Sequence, residues 1–234
     1  MLKTAPEGRW AFDRFVLLLG VTVITVGMLL LVDLDASGGL GQFLAIVVSL
    51  LTAATLLLAV IAAGIGRRGL IVAIVAAVSL VGTTLFVNLV SDSYESFGGI
   101  MWLLLVVCAP FIALRRLNQH RRVTIETIAG AVSVYLLLAI AATYLFLALD
   151  VMLEPSGGFF GHGEPTTSFM YFSLVTLTTL GYGDLAPAHD AARAVAVWES
   201  VIGQVFLVVV VARLVSIYST TFSTRGSKDS TSSE

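Results

Sequence analysis

The sequence has little charge and a single cysteine, and each shortage excludes a class of protein. Charged residues make up 12% of the 234 residues, against roughly 25% in an average soluble domain. The net charge of −2 offers no basic patch for binding a nucleic acid. Cys108 alone cannot form an intrachain disulfide, which excludes a disulfide-stabilised secreted scaffold. Hydrophobic residues make up 58% of the chain, with a mean hydropathy of +0.99, which excludes a soluble enzyme and indicates an integral membrane protein.

Apolar runs near the length of about 20 residues that crosses a bilayer recur along the chain. They are Phe15–Val32, Leu40–Ile65, Leu70–Val90, Phe97–Leu114, Thr127–Leu149 and Ala194–Ala212. A further apolar segment, Thr167–Leu177, is about half as long as a span. It predicts a re-entrant helix, which needs protein or a water-filled cavity to cover its backbone ends. The sequence therefore predicts an all-α membrane protein with six transmembrane helices and one re-entrant helix.

Basic residues lie at alternate ends of the predicted spans. They precede the first span, separate the second from the third and the fourth from the fifth, and follow the sixth. The intervening loops carry aspartate and glutamate, and Arg193 is the single basic exception. Because lysine and arginine concentrate in cytoplasmic loops, we expect both termini in the cytoplasm of a protein of the cell membrane. The short helix then enters from the outside.

A glycine-alternating loop follows the short helix, with the sequence Thr-Thr-Leu-Gly-Tyr-Gly-Asp over residues 178–184. Glycine reaches positive φ at little cost, so Gly181 and Gly183 allow successive backbone carbonyls to point the same way. Such a row, extended by the Thr179 hydroxyl, can replace the water oxygens around a potassium ion. We expect Tyr182 to point away and brace the loop from behind. The loop is therefore a candidate site for conducting a cation.

The run Thr179–Asp184 resembles the selectivity filter of the potassium channel family, a documented carbonyl-lined filter. This family usually has valine or isoleucine at the position of Leu180. The resemblance extends to an outer helix, a pore helix and an inner helix, which match Thr124–Asp150, Thr167–Leu177 and Ala191–Thr221. In many members a hinge glycine lies where this chain has Gly203.

The resemblance implies a homotetramer around one axis, since each chain has only one filter strand. It implies potassium binding by oxygens of Thr179, Leu180, Gly181 and Tyr182, with Gly183 completing the filter and no cofactor beyond the potassium ions. The implied function is passive potassium-selective permeation. A weakly selective monovalent cation channel with a relaxed filter is the alternative.

Residues around the filter are expected to support it: Thr178 and Asp184 flank it, and Arg193 begins the inner helix. For Arg193, a bond to a nearby carboxylate and a snorkelling surface position are both left open. Glu199 lies within a predicted span, where an ionised carboxylate costs about 2.5–3.5 kcal/mol, so a partner or a bound proton is expected. Many potassium channels have a pore-helix carboxylate behind the filter, at the position of Val175 here.

Our hypothesis is that Glu199 replaces that carboxylate by bonding threonine or backbone groups behind the filter. The alternative is that Glu199 faces the central cavity and attracts cations.

The chain divides near Val123 into three parts. Residues 1–122 form a predicted four-helix transmembrane domain, residues 123–221 a pore domain, and residues 222–234 a polar tail that is serine-rich and predicted to be disordered from Ser223. The layout resembles that of voltage-gated channels, but Gly99–Leu114 lacks the arginines of a voltage sensor. Gating is therefore expected to depend weakly on voltage.

Four arginines follow the fourth predicted span: Arg115, Arg116, Arg121 and Arg122. In one interpretation they contact anionic lipid headgroups, each contributing about 1 kcal/mol of binding free energy. In the other they only set the topology. The sequence leaves both interpretations open.

Overall fold

The computed structural model describes residues 7–33, 39–62, 125–230 and individual helical residues between 71 and 82. The described helices are α1 (Glu7–Leu29), α2 (Gly39–Ala62), α3 (Ile125–Leu153), α4 (Thr166–Leu177) and α5 (Asp190–Ser230), with a 3₁₀ turn at Glu154–Ser156. The all-α prediction is confirmed for this part of the chain. The number of spans is not established, because most of Leu70–Val90 and all of Phe97–Leu114 lie outside the described residues.

The lengths of the helices agree with most of the predicted spans that can be compared. Stretches long and apolar enough to cross a membrane occur in α2 (Phe43–Ala62), in α3 with its 3₁₀ turn (Thr127–Ser156) and in α5 (Asp190–Val210). In α1 the apolar part, Phe15–Leu29, is shorter. Helix α4 has 12 residues, about 18 Å at 1.5 Å per residue, so the predicted half-length helix is present.

An apolar cluster joins the first two helices to α3 and α4. Its buried members include Leu18 and Leu29 of α1, Leu56 of α2, Ile140 of α3 and Met170 of α4. Helix α1 packs against both α2 and α3. Helix α1 therefore lies directly against the half-length helix α4, and α2 packs on the side of α1.

Hydroxyl side chains inside the helices are satisfied locally. Thr22, Thr52, Ser133 and Thr143 each donate to the backbone carbonyl four residues earlier, at 2.7–2.9 Å. In a membrane an unsatisfied polar group costs several kcal/mol. These bonds therefore let buried serine and threonine remain within apolar helices.

A second cluster of five phenylalanines holds α4 between α3 and α5. They are Phe146, Phe159, Phe160, Phe169 and Phe172. The ring centroids of neighbours lie 4.8–6.0 Å apart, mostly tilted or edge to face, which is a favourable arrangement for aromatic pairs. Ala192 and Ala196 of α5 complete the cluster. Sequence analysis did not identify this cluster.

The predicted disorder from Ser223 is wrong as far as Ser230, because α5 continues to that residue. Extending a formed helix adds one hydrogen bond per residue and avoids the cost of nucleation. A polar segment can therefore continue the helix of the apolar span before it.

Candidate functional site

The loop after α4 has an alternating backbone. Thr179, Gly181 and Gly183 have φ values of 58°, 58° and 79°, whereas Leu180 and Tyr182 are not in this region. Positive φ costs a residue with a Cβ roughly 1–2 kcal/mol, which explains glycine at two of the three positions. Thr179 is the single non-glycine residue with positive φ in the described part of the chain. The alternation predicted from the two glycines therefore begins two residues before the first of them, at Thr179.

Backbone N–H groups of this loop bond back to α4. The N–H of Thr179 donates to the Thr176 carbonyl at 3.0 Å, and the N–H groups of Leu180 and Gly181 donate to the Val175 carbonyl at 2.9 and 3.4 Å. No described peptide bond is cis, and in a trans peptide the N–H points opposite to the preceding carbonyl. The carbonyls of Thr178, Thr179 and Leu180 therefore turn away from α4. Residues 178–184 are exposed in the single chain, so this row faces an open side.

The C-terminus of α4 is held from two sides. The Tyr135 hydroxyl of α3 donates to the Leu177 carbonyl at 2.9 Å, and the Thr178 hydroxyl donates to the Leu174 carbonyl at 2.6 Å. On the α5 side, a Cβ at Gly203 would come within 2.8 Å of the Leu177 carbonyl oxygen. Gly203 is therefore required for close packing against α4. The predicted hinge role is a separate property that stays a prediction.

Asp184 is bound by a tyrosine of α4. The Tyr171 hydroxyl donates to Asp184 Oδ2 at 2.7 Å, and this bond lowers the pKa of Asp184 and raises the pKa of Tyr171 to about 12. The Tyr171 ring lies parallel to that of Tyr182, with centroids 6.4 Å apart and planes 4° apart. Sequence analysis missed Tyr171. Its position in the sequence could have pointed to it. Tyr171 lies four residues before Val175, the pore-helix position singled out from the sequence, so the two side chains lie on one face of α4.

Glu199 lies between α5 and α4, with a relative exposure of 7%. Its Oε1 accepts a hydrogen bond from the Ser173 hydroxyl of α4 at 2.5 Å. The same hydroxyl lies 2.9 Å from the Ala139 carbonyl of α3. Oε2 has no hydrogen-bond partner among the described residues. The contact is to a serine, rather than to the threonine or backbone group expected from the sequence, and it lies on the helix that carries the filter loop.

Arg193 bonds to the loop that follows the filter sequence. Its Nε donates to the Pro187 carbonyl at 3.0 Å, and its guanidinium lies 3.6 Å from Asp190 Oδ1. The ion pair is exposed and contributes little. Among the described residues, Arg193 is thus joined to Asp190 and not to Asp184.

The described residues contain no group of three His, Cys, Asp or Glu side chains that could hold a metal ion. Backbone oxygens and the Thr179 hydroxyl are among the oxygens of this exposed loop that could contact a cation. The four arginines at residues 115–122 lie outside the described residues.

Residues 123–220 match a protein family described as "Ion channel". This part of the chain is therefore similar to ion channels. The matched family is one of ion channels and not of enzymes, and this match, together with the helices long and apolar enough to cross a membrane, indicates a membrane protein. The match includes α3, the Phe cluster, α4, the filter-like loop and most of α5.

The comparison with curated proteins adds a plant relative. The chain is 46% identical over 65 residues to "Two pore potassium channel b" of Oryza sativa subsp. japonica, covering 26% of this chain. The match spans only 16% of that protein. Both comparisons confirm the resemblance to the potassium channel family that the motif indicates. No solved structure matches the chain.

Proposed function

We propose that the protein is a potassium-selective channel in which residues 179–183 form the selectivity filter. The observation that carries this proposal is a row of backbone carbonyls at residues 178–180. These carbonyls face away from α4 because the N–H groups of residues 179–181, on the opposite side of the same peptide bonds, donate to α4. Filters of this kind replace the hydration oxygens of potassium with rings of carbonyl oxygens. The motif and the plant relative, which is named a potassium channel, support the choice of ion.

We further propose that four copies assemble around one axis. Each chain supplies one row of oxygens, and a closed cyclic assembly brings equivalent rows together. In the single chain the side chains of Leu180 and Tyr182 are 56% and 66% exposed. Helix α5 also leaves large apolar side chains exposed, among them Val197, Trp198, Val201 and Val205. Such a face suits contact with neighbouring subunits or lipid.

Glu199 is proposed to support the filter from behind. Its bond to Ser173 joins α5 to α4 one helical turn before Gly203. Both residues of the pair are buried, so the contact is shielded from water and strengthened by the low local dielectric. Because the N–H groups of the filter bond to the end of α4, an interaction that fixes α4 also fixes the filter.

The remaining parts of the proposal rest on the sequence. The channel lies in the cell membrane with both termini in the cytoplasm, as the basic loops indicate. It opens without steep voltage dependence, and the arginines at residues 115–122 contact anionic lipid.

Ion flux into liposomes tests the function directly. The purified protein is reconstituted, and fluxes of potassium, rubidium and sodium are compared under equal gradients. We expect potassium and rubidium to pass much faster than sodium. Equal potassium and sodium rates would replace the proposal by the weakly selective cation channel, and absence of all three fluxes would reject both.

A further inference from the structure

The N-terminus of α4 receives its cap from a distant residue. Pro165, which precedes the helix, makes no side-chain capping bond. The first N–H groups of any helix lack partners within the helix. Here the N–H of Thr167 donates to Asp33 Oδ2 at 2.7 Å, from a residue 134 positions earlier. The cap therefore comes from the end of α1.

Asp33 is held in place by the packing of α1. It ends a turn in which the N–H of Leu30 donates to the Val26 carbonyl and that of Leu31 to the Met28 carbonyl, both at 3.1 Å. The residues of this turn pack into the cluster that contains Leu29 of α1 and Met170 of α4. The carboxylate is thus presented to α4 by an anchored segment.

The charge of Asp33 suits this position. A carboxylate is favourable at a helix N-terminus, where the macrodipole is positive, and a bond from a backbone N–H to a carboxylate is charge-assisted. Glu164 also serves this end, since its Oε2 accepts from the Ser168 hydroxyl at 2.6 Å. Glu164 lies two residues before α4 and moves with it, whereas Asp33 lies in the turn that follows α1. Among the described residues, the Asp33 bond is the hydrogen bond that joins this end of α4 to the segment of α1.

The opposite end of α4 sets the geometry of the filter. The carbonyls of Val175 and Thr176 accept the N–H groups of Thr179, Leu180 and Gly181. A helix of 12 residues is rigid over its length, so tilting its N-terminus displaces these carbonyls and the filter bonded to them. Contacts at the two ends of α4 are therefore mechanically linked.

We propose that Asp33 is a positioning residue of the filter, through which α1 fixes the orientation of α4. Helix α1 then contributes to the geometry of the filter in addition to being a membrane segment. This inference rests on the proposed function, because its readout is selectivity between potassium and sodium.

Two substitutions in the full chain test it: Asp33→Leu removes the acceptor, and Asp33→Asn keeps an acceptor oxygen without the charge. The sodium-to-potassium flux ratio in liposomes should rise about fivefold for Asp33→Leu, a change of about 1 kcal/mol in the preference for potassium over sodium. Asp33→Asn should give a smaller rise. Glu154→Gln, an exposed carboxylate at the end of α3, is the matched control and should leave the ratio unchanged.

A substitution of the donor separates this contact from a general effect on folding. Thr167→Pro removes the backbone N–H that donates to Asp33. Thr167 lies in the first turn of α4, where proline is tolerated. In this background Asp33→Asn should have no further effect on the flux ratio, and an additive effect would overturn the inference. If Asp33→Leu does not assemble, the Asn and Pro variants carry the test.

The two proposals fail in different ways. A wild-type protein that does not distinguish potassium from sodium contradicts the proposed function. A selective wild-type protein whose Asp33 variants keep the same flux ratio contradicts the role of Asp33 alone.

Discussion

At the scale of single residues, the filter depends on backbone conformations that only some side chains accept. Three of five successive residues have positive φ, and two of these three are glycine. The third, Thr179, bears the cost of its Cβ in a conformation that L-residues rarely adopt. Its side chain supplies a hydroxyl oxygen at the same point in the row. The hydrogen bond from the Thr179 N–H to the end of α4 stabilises this unfavourable backbone conformation.

Gly181→Ala tests the backbone requirement. A Cβ at this position has open space, with no atom within 4 Å, so the penalty comes from the positive φ and is roughly 1–2 kcal/mol per subunit. We expect loss of potassium flux with assembly retained, measured by liposome flux and size-exclusion chromatography. Gly163→Ala is the control, since a Cβ there is also free of contacts and φ is not positive. Selective flux through the Gly181→Ala variant would contradict the filter assignment.

Tyr171→Phe tests the bond to Asp184 through pH. The bond lowers the pKa of Asp184 in the folded protein, so its stabilisation is complete above the ordinary aspartate pKa and is lost as the pH falls through the lowered value. Without the hydroxyl, stability at neutral pH should be lower and its loss on acidification smaller, so that the two proteins converge at low pH. Thermal unfolding of the two proteins is compared from neutral pH down to about 3. In an Asp184→Asn background, Tyr171→Phe should not change the acid profile.

At the scale of helices, α4 is a short helix fixed at both ends and along its side. Asp33 binds its N-terminus, Tyr135 binds its last turn, and Glu199 binds its middle. These three partners come from α1, α3 and α5. The position of the filter therefore depends on all three neighbouring helices.

Substitutions of Glu199 test the contact between α5 and α4. Glu199→Gln retains a hydrogen-bonding side chain and should keep conduction. Glu199→Val leaves the Ser173 hydroxyl without this partner and should destabilise the assembly by about 1–3 kcal/mol or speed inactivation of the filter. For both variants, stability is measured by thermal unfolding and filter inactivation by the decay of potassium flux. A valine variant that assembles and conducts like wild type would show that Glu199 is no anchor.

Gly203→Ala tests the packing of α5 on α4. The added methyl would lie 2.6 Å from Leu177 Cδ1 and 2.8 Å from the Leu177 carbonyl oxygen, so we expect a loss of about 1–3 kcal/mol in stability, as for overpacked sites. Gly27→Ala in α1, where a Cβ meets no atom within 4 Å, should be neutral or slightly stabilising. Unchanged thermal stability of Gly203→Ala with altered opening would instead favour a hinge.

At the scale of the whole molecule, the proposed function requires more than one chain and a membrane. The filter row is exposed on one side of the single chain, and the exposed apolar face of α5 requires a partner or lipid. Helices α1 and α2 pack onto the pore helices through one continuous apolar cluster. Movement of the N-terminal helices can therefore reach the filter through packing alone.

Opening of the assembled channel should depend weakly on membrane voltage. This prediction comes from the sequence, because Gly99–Leu114 has no charged residue and lies outside the described residues. Each charge that crosses the field contributes about 2.3 kcal/mol per 100 mV, so a span without charge contributes none. Conductance is measured against voltage in planar bilayers. A steep curve, equivalent to several elementary charges and independent of blocking ions, would contradict it.

From the sequence alone one can predict the membrane class, the approximate extents of α2, α3 and α4, and the filter-like loop. These properties follow from local patterns: long apolar runs, a half-length run and two glycines spaced by one residue. It also singled out Glu199, because a carboxylate within an apolar span stands out against its neighbours.

Only the tertiary structure decided which residues meet around α4. Asp33 and Thr167 are 134 residues apart, and Tyr135 and Leu177 are 42 apart. A helix that is apolar on every side has no polar face, so its sequence does not show which side packs against a neighbour. The same limit hid the bond between Tyr171 and Asp184. These contacts arise from how the helices cross, and the helix crossings place the filter.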